Sequence, residues 1–351
     1  MPATPREIVQ RCLRRQHPPR TPRDLWTLPW ANTHHPAAVA TLRQRFPSDF
    51  GGVPDVYRPA PRRRGDPYAV GTYTDEWGCV FTNIHAGVIG EVRAPLLASA
   101  ADWRQLKPPI EMLPDDAATA RATVNRACEA SQQFVLSPCI ARPWERYQFI
   151  RGSADAMMDV ADGGKDVRTL LRRIQEFYLR DLRFWVTTNV DAVMFMDDWG
   201  AQRQLLISPA AWRALFKPLY REYCQLIHAA GKFAFMHSDG HIAAIYPDLI
   251  EIGVDAVNSQ LFCMDLAELA RVAKGKITFW GEMDRQHVLP AADPAVGRAA
   301  VREVARHLYD PAGGQIAQFE FGAGANPATA LAIFEEWEAV DREHAGKQGV
   351  K

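Results

Sequence analysis

The sequence predicts an α/β fold, a (β/α)8 TIM barrel with an N-terminal extension containing a β-hairpin. Three observations carry the prediction. From about residue 115 onward, short apolar runs take turns with helical stretches, the pattern of parallel strands joined by right-handed crossovers. At least six such units follow one another without a break, which favours a closed barrel over an open doubly wound sheet. No Gly-x-Gly-x-x-Gly follows a strand, since Gly322-Ala323-Gly324-Ala325 lacks the third glycine. A dinucleotide-binding sheet therefore has no support.

Residues 1–67 are rich in Pro and Arg and read as an extension packed on the barrel. They hold one helical prospect, Arg6–Arg15, and one apolar run, Leu25–Trp30. The barrel is assigned to 68–345. Residues 68–97 alternate in a strand-like way between glycines, which marks a hairpin or inserted sheet. A helix is expected over Asp116–Ser131, a strand over Gln133–Leu136, and helices over Trp144–Val160 and Asp166–Thr188. The apolar run Asp191–Met196 ends in Asp197-Asp198-Trp199-Gly200. Ser208 then caps a helix with Pro209 at its first position, running to Ala230 before Gly231. Trp212, Leu215, Phe216, Leu219, Tyr223, Leu226 and Ile227 recur there at helical spacing, and Pro218 should kink it. Further strands follow at Lys232–Met236, Asp255–Val257, Lys276–Trp280 and Gln315–Phe319. Helices separate them at Ile242–Ile252 (interrupted by Pro247), Leu266–Ala273 and Pro294–Leu308, with a last one from Pro327 to Glu343.

Composition narrows the function classes. Forty-one basic residues balance forty-one acidic ones, which leaves no global electrostatic case for nucleic acid or an anionic membrane. The six cysteines include no Cys-x-x-Cys pair, against a disulfide scaffold or zinc ribbon and in keeping with a reducing cytoplasm. Neither a signal-peptide core nor a run of ~18 apolar residues is present. The expectation is a cytoplasmic protein that acts on a small molecule, with a homodimer compatible with the exposed helices of such a barrel.

The chemistry is expected just past the carboxyl ends of the strands, which share one face of such a fold. Successive strands end in Asp197-Asp198, His237 with Asp239, Asn258 with Gln260, and Glu282 with Asp284, and the last adds Glu320. Singly, Asp and Asn are ordinary cap and turn residues, and for His237, directly after an apolar strand, the bland alternative is a satisfied core histidine. Repetition at one topological position favours a site, because so many gathered carboxylates repel unless a cation or shared protons relieve them. His237-x-Asp239 is a plausible metal-ligand pair, since alternate residues of an extended segment point the same way, with Glu320 or Glu282 completing it. This hard donor set tolerates zinc and suits other divalent ions. Arg203, Arg285 and Arg142 are candidates to hold a substrate carboxylate, or else to form surface salt bridges. Trp199, Phe262 and Trp280 are candidate pocket walls or simple core.

The order LLISPAAWRALFKPLYREY, FMHSDGHI, PDLIEIGVDAVN, TFWGEMD, then a glycine-rich turn before Pro327, resembles the uroporphyrinogen decarboxylase superfamily. So does YTDEWGCVF…GVIGEVRAPL over Tyr73–Leu96. The resemblance covers roughly residues 20–340 and implies a (β/α)8 barrel. Its decarboxylase branch carries an N-terminal Met-Arg-Gln-Ala-Gly-Arg loop and a Phe-Ser-Asp-Ile segment. Here TPRDLWTLPWANTHHP and Tyr73-Thr74-Asp75-Glu76-Trp77-Gly78 stand instead. The corrinoid-linked methyltransferase branch is the better match, through DDWG, ISP and the His-x-x-Gly turn. That branch holds zinc through His-x-Cys and a later Cys; His237 matches the histidine, Asp239 replaces the first cysteine and Glu320 falls near the second.

The resemblance thus implies a metal-dependent methyltransferase or demethylase, with a divalent ion at His237, Asp239 and Glu320. Asp197, Asp198, His237 and Glu282 are its expected catalytic groups, and Trp199, Arg203, Asn258, Gln260 and Arg285 its expected substrate-binding groups. The chain has no Asp-x-His-x-x-Gly motif, so methylcobalamin would come on a separate corrinoid protein. The alternative is a cofactor-free decarboxylase on an acidic substrate, with Arg203 or Arg285 as its anchor and a protonated carboxyl as its acid.

Overall fold

A computed structural model describes residues 2–348. Eight short strands run parallel: β1 (Arg23–Thr27), β2 (Phe50–Gly51), β3 (Phe134–Val135), β4 (Ala192–Met196), β5 (Phe233–Ser238), β6 (Ala256–Ser259), β7 (Thr278–Trp280) and β8 (Gln315–Phe321). Six form one curled sheet in the order β1-β8-β7-β6-β5-β4, and β2 and β3 pair separately. The small sheet meets both edges of the large one. Leu136 bridges to Ala192 beyond β3, and the Asp49 amide donates to the Arg23 carbonyl at 2.9 Å. The architecture is a mixed α/β, TIM-like fold.

Residues 1–67 are not a mere extension. They supply β1 and β2, and β1 pairs along its full length with β8, from Arg23↔Ala317 to Thr27↔Phe321. The helix Pro5–Leu13 starts from a capping box of Thr4 and Glu7. It closes the amino-terminal end of the sheet, where its Arg6 reaches Asp191 at 3.1 Å, just before β4. Residues 71–92 form a three-stranded antiparallel sheet, Gly71–Thr74, Val80–Asn83 and Glu91–Val92.

Two breaks divide stretches read as single helices. Gly152 adopts φ 77° and separates Pro143–Arg151 from Ser153–Asp162, a conformation that glycine takes without penalty. Pro218 has no amide to continue the ladder, so the expected kink becomes a division at Phe216 between Pro209–Leu215 and Lys217–Ala229.

Alternation along the strands sorts side chains into two cores. Phe50, Phe134, Phe235, Ala256, Trp280 and Ile316 cluster with Val9, Cys12 and Leu13 inside the curled sheet. Their chain neighbours, among them Val135, Phe195, Met236, Val257 and Phe279, join the larger cluster beneath the helices. The same parity, continued past the strand ends, decides which polar residues face the mouth. No helix among the described residues is long and apolar enough to cross a membrane.

Candidate active site and metal centre

Met196 pairs with His237 and His237 with Asn258, so β4, β5 and β6 end at one level. Beyond it the segments after β4 and β5 stay together. Asp197 N–H donates to the His237 carbonyl at 3.1 Å, Gly200 N–H to the Asp239 carbonyl at 3.0 Å, and His241 N–H to the Ala201 carbonyl at 2.9 Å. Gly200 and Gly240 touch backbone to backbone. A Cβ built on Gly240, whose φ is 76°, would lie 2.1 Å from the Gly200 carbonyl oxygen. Only paired glycines allow that approach. It brings Asp198 to Asp239, whose amide donates to Asp198 Oδ1 at 3.0 Å.

His237 is the centre of the arrangement. Its Nε2 lies 3.5 Å from Asp198 Oδ1 and 3.7 Å from Asp239 Oδ1. Its Nδ1 lies 2.6 Å from Asn258 Oδ1. The Asn258 amide nitrogen donates to the Trp280 carbonyl at 2.5 Å and to Gln318 Oε1 at 2.9 Å. That commitment turns the Asn258 oxygen toward the imidazole, so Nδ1 carries the proton and Nε2 faces the carboxylates as an acceptor in the neutral ring. Such a second partner fixes the tautomer of metal-ligating histidines. Burial alone would lower the His237 pKa, but the Asp198 and Asp239 carboxylates raise it to about 10. Without an ion, a proton on Nε2 holds this place.

Asp198, His237 and Asp239 offer three donor atoms within 4.8 Å of one another. Ligands about 2.1 Å from an ion at the tetrahedral angle sit roughly 3.4 Å apart, close to the spacing found. Asp239 Oδ1 is buried with no hydrogen-bond partner, a deficit that a cation would remove. The residues therefore fit a divalent ion held by one nitrogen and two oxygens. Glu320, expected as the third ligand, is drawn away: its Oε1 accepts from Arg285 at 2.8 Å, and the third donor atom beside His237 and Asp239 is Asp198 Oδ1.

Arg285 binds three carboxylates, Asp239 at 2.5 Å, Glu320 at 2.8 Å and Glu282 at 3.4 Å. It is a hub that relieves their repulsion and aims Asp239, not a free clamp for a substrate carboxylate. Glu282 is buried and its Oε2 has no hydrogen bond. Burial raises its pKa to about 8, against the pull of Arg285.

Other expected site residues lie elsewhere. Asp197 points away from the mouth, is fully buried and caps the helix Pro143–Arg151 by accepting from the amides of Trp144 and Glu145, both at 2.8 Å. It also accepts a short hydrogen bond from the Tyr220 hydroxyl. Burial and the Glu145 charge drive its pKa well above the carboxylate range. Trp199 is core, stacked on Trp144 at 5.3 Å with its indole donating to Tyr220 at 3.0 Å. Asn258 is a buried positioning residue rather than a substrate contact. Arg203 is exposed beside a separate surface cleft with His241. Gln260 accepts from Gly240 N–H at 3.0 Å and, with Phe262, Cys263 and Arg285, lines a cleft of about 210 Å³ beside Asp239.

Two residues were not singled out from sequence. Glu145, in the first turn of the helix that Asp197 caps, lies near Arg142 at 3.8 Å. Burial pushes its pKa to about 7, with Arg142 opposing and Asp198 reinforcing the shift. Trp26 touches the His237 ring at a centroid distance of 5.4 Å. The signal for Glu145 was Arg142-Pro143 opening a helix after β3; that for Trp26 was the apolar run that turned out to be β1.

The family model described as uroporphyrinogen decarboxylase (URO-D) matches residues 75–339. The chain belongs to the uroporphyrinogen decarboxylase family. Among solved structures, a methyltransferase from Methanosarcina mazei is similar with TM-score 0.68 and 12% identity, over 96% of this chain and 99% of that one. That likeness bears on the fold alone and, at 96% of this chain, takes in residues before 75 as well. A GH113 β-1,4-mannanase (TM-score 0.40, 8% identity, 91% and 99% covered) and xylanase 10B from Thermotoga maritima (TM-score 0.37, 12% identity, 63% and 81% covered) are more remote. No curated protein matches the chain.

Proposed function

We propose that this family member, read as a closed (β/α)8 barrel, is a metal-dependent methyltransferase or demethylase of small molecules that works with a separate corrinoid protein. The carrying observation is the convergence of His237 Nε2, Asp198 Oδ1 and Asp239 Oδ1, with Asn258 fixing the ring and Asp239 Oδ1 lacking a hydrogen-bond partner. The methyltransferase assignment draws on the likeness to the Methanosarcina fold and on family membership. A bound divalent ion would supply Lewis acidity toward an oxygen or nitrogen of the substrate. One imidazole and two carboxylates form a hard set, so the polarised atom is oxygen or nitrogen in preference to a thiol.

The chain's own groups then divide the work. Asn258, itself held by Gln318, holds the imidazole, and Arg285 holds Asp239 and Glu320. Glu282 keeps its proton at neutral pH and stands as general acid in place of Asp197. The same protonated carboxyl favours a second reading, decarboxylation, in which it protonates a carbanion.

The experiment follows demethylation of free methylcobalamin by the purified, zinc-loaded protein with simple alcohol, phenol and amine acceptors, before and after chelation. Demethylation that stops on chelation and returns with zinc supports methyl transfer. Chelator-resistant CO2 release from carboxylated substrates, without demethylation, would replace it by the second reading.

A further inference from the structure

Across the mouth from the Gln260 cleft, the ends of β1, β2 and β3 line a second, open cleft of about 430 Å³. Trp26, Phe50, Val53, Leu136 and Pro138 are its apolar side chains, and Asp24 and Ser137 are its polar ones. Both are already engaged. Asp24 Oδ2 accepts from the indoles of Trp26 at 2.9 Å and Trp280 at 3.0 Å, and Oδ1 accepts from Ser48 at 3.1 Å. Ser137 Oγ donates to the Pro138 carbonyl and accepts from Met194 N–H. Among the described residues no Lys or Arg lines the cavity, so it is not built for a polycarboxylate.

Trp26 joins this cavity to the metal centre. Its ring is half-buried, meets Trp280 edge-on at 5.3 Å and 90°, and lies 5.4 Å from the His237 imidazole. Asp24 pins the indole nitrogen, so the ring is a rigid platform that loses little freedom when something stacks on it. An enclosed cavity of about 150 Å³ accepts benzene, so this open cleft has room for a substituted ring. Aromatic pairs add stabilisation beyond their buried area.

We propose that this cavity is the subsite for an aromatic substrate body stacked on Trp26, with the ring's oxygen or nitrogen substituent directed at His237, Asp198 and Asp239. The role of that substituent rests on the metal reading above; the ring subsite does not.

The test titrates the full chain with anisole and with its saturated counterpart cyclohexyl methyl ether, and measures zinc content on the same samples. Gly52 lies on the cavity wall, and a Cβ there meets nothing within 4 Å. Gly52→Leu should therefore fill the cavity without disturbing the fold, while Trp26→Ala removes the platform. Wild type should prefer anisole about fivefold, in line with the worth of one aromatic pair. Both variants should weaken anisole at least tenfold, and Trp26→Phe should restore most of the loss. No anisole binding at millimolar concentration, or equal binding by wild type and Gly52→Leu, overturns the subsite. Zinc bound normally with no ring preference defeats the subsite alone. Ring binding lost in Gly52→Leu while no sample binds zinc upholds the subsite and defeats the metal reading.

Discussion

Consecutive residues of an extended strand project to opposite faces, and beyond β4 this separates Asp197 from Asp198. Phe195 and Asp197 face the helices, and Asp198 faces the mouth with His237 and Asp239. Asp197 is thus a structural group, serving two amides and a tyrosine. Asp197→Ala is expected to cost about 2–3 kcal/mol, the sum of a lost cap and an orphaned buried hydroxyl. Urea denaturation measures it, and zinc content should stay at the wild-type level; loss of zinc with unchanged stability would return Asp197 to the site. The sequence placed both aspartates in one acid/base cluster because it grouped residues by strand end. Counting parity from Phe195 would have divided them. Glu320 was illegible in another way: its partner Arg285 lies on a different strand end, and no periodicity reports such a pairing.

The segments following β4 and β5 act as one unit, closed by Gly200 against Gly240. Their motifs, DDWG and HSDGH, were visible as polar turns, but a backbone contact between them is a tertiary fact. Gly240→Ala puts a side chain at φ 76° and into the Gly200 carbonyl. Strain at such a position costs about 1–3 kcal/mol, and relief of the clash must part Asp198 from Asp239. The expected outcome is lower thermal stability together with zinc affinity reduced tenfold or more, by calorimetric titration; intact affinity would show that the two loops need not touch. The later strands of the sheet were legible because each is a distinct apolar run between helices. β1 and β2 were not. Five and two residues within a Pro/Arg-rich stretch are too short for alternation to register, and β1 owes its place to pairing with β8, about 290 residues away in the chain. The helix breaks at Gly152 and Phe216 lay within reach of glycine and proline chemistry, and only the second was expected.

Across the molecule, several carboxyls are buried without a full counter-charge. Burial raises the pKa of Asp24 to about 6, Asp181 to about 7 and Glu282 to about 8. The folded chain therefore keeps protons that the unfolded chain sheds above the ordinary carboxylate range. Their contribution is fully present below pH ~4 and is lost as pH rises through 6 to 8, each proton contributing a slope of about 1.4 kcal/mol per pH unit. Urea midpoints of the metal-free protein should fall between pH 5 and pH 8.5. Asp181→Asn, on the helix Lys165–Trp185 and bonded to Tyr57 and Trp185, should flatten that fall. A midpoint that rises over the same range would contradict the assignment of these groups as buried acids.

The convergence of β4 and β5 on one cation site is tested most directly by elemental analysis of the protein equilibrated with zinc and dialysed. A single ion per chain in wild type, lost in Asp198→Ala and His237→Ala and kept in Glu320→Ala, is the predicted result. Wild type without bound metal, or zinc lost from Glu320→Ala and kept by Asp198→Ala, would contradict it.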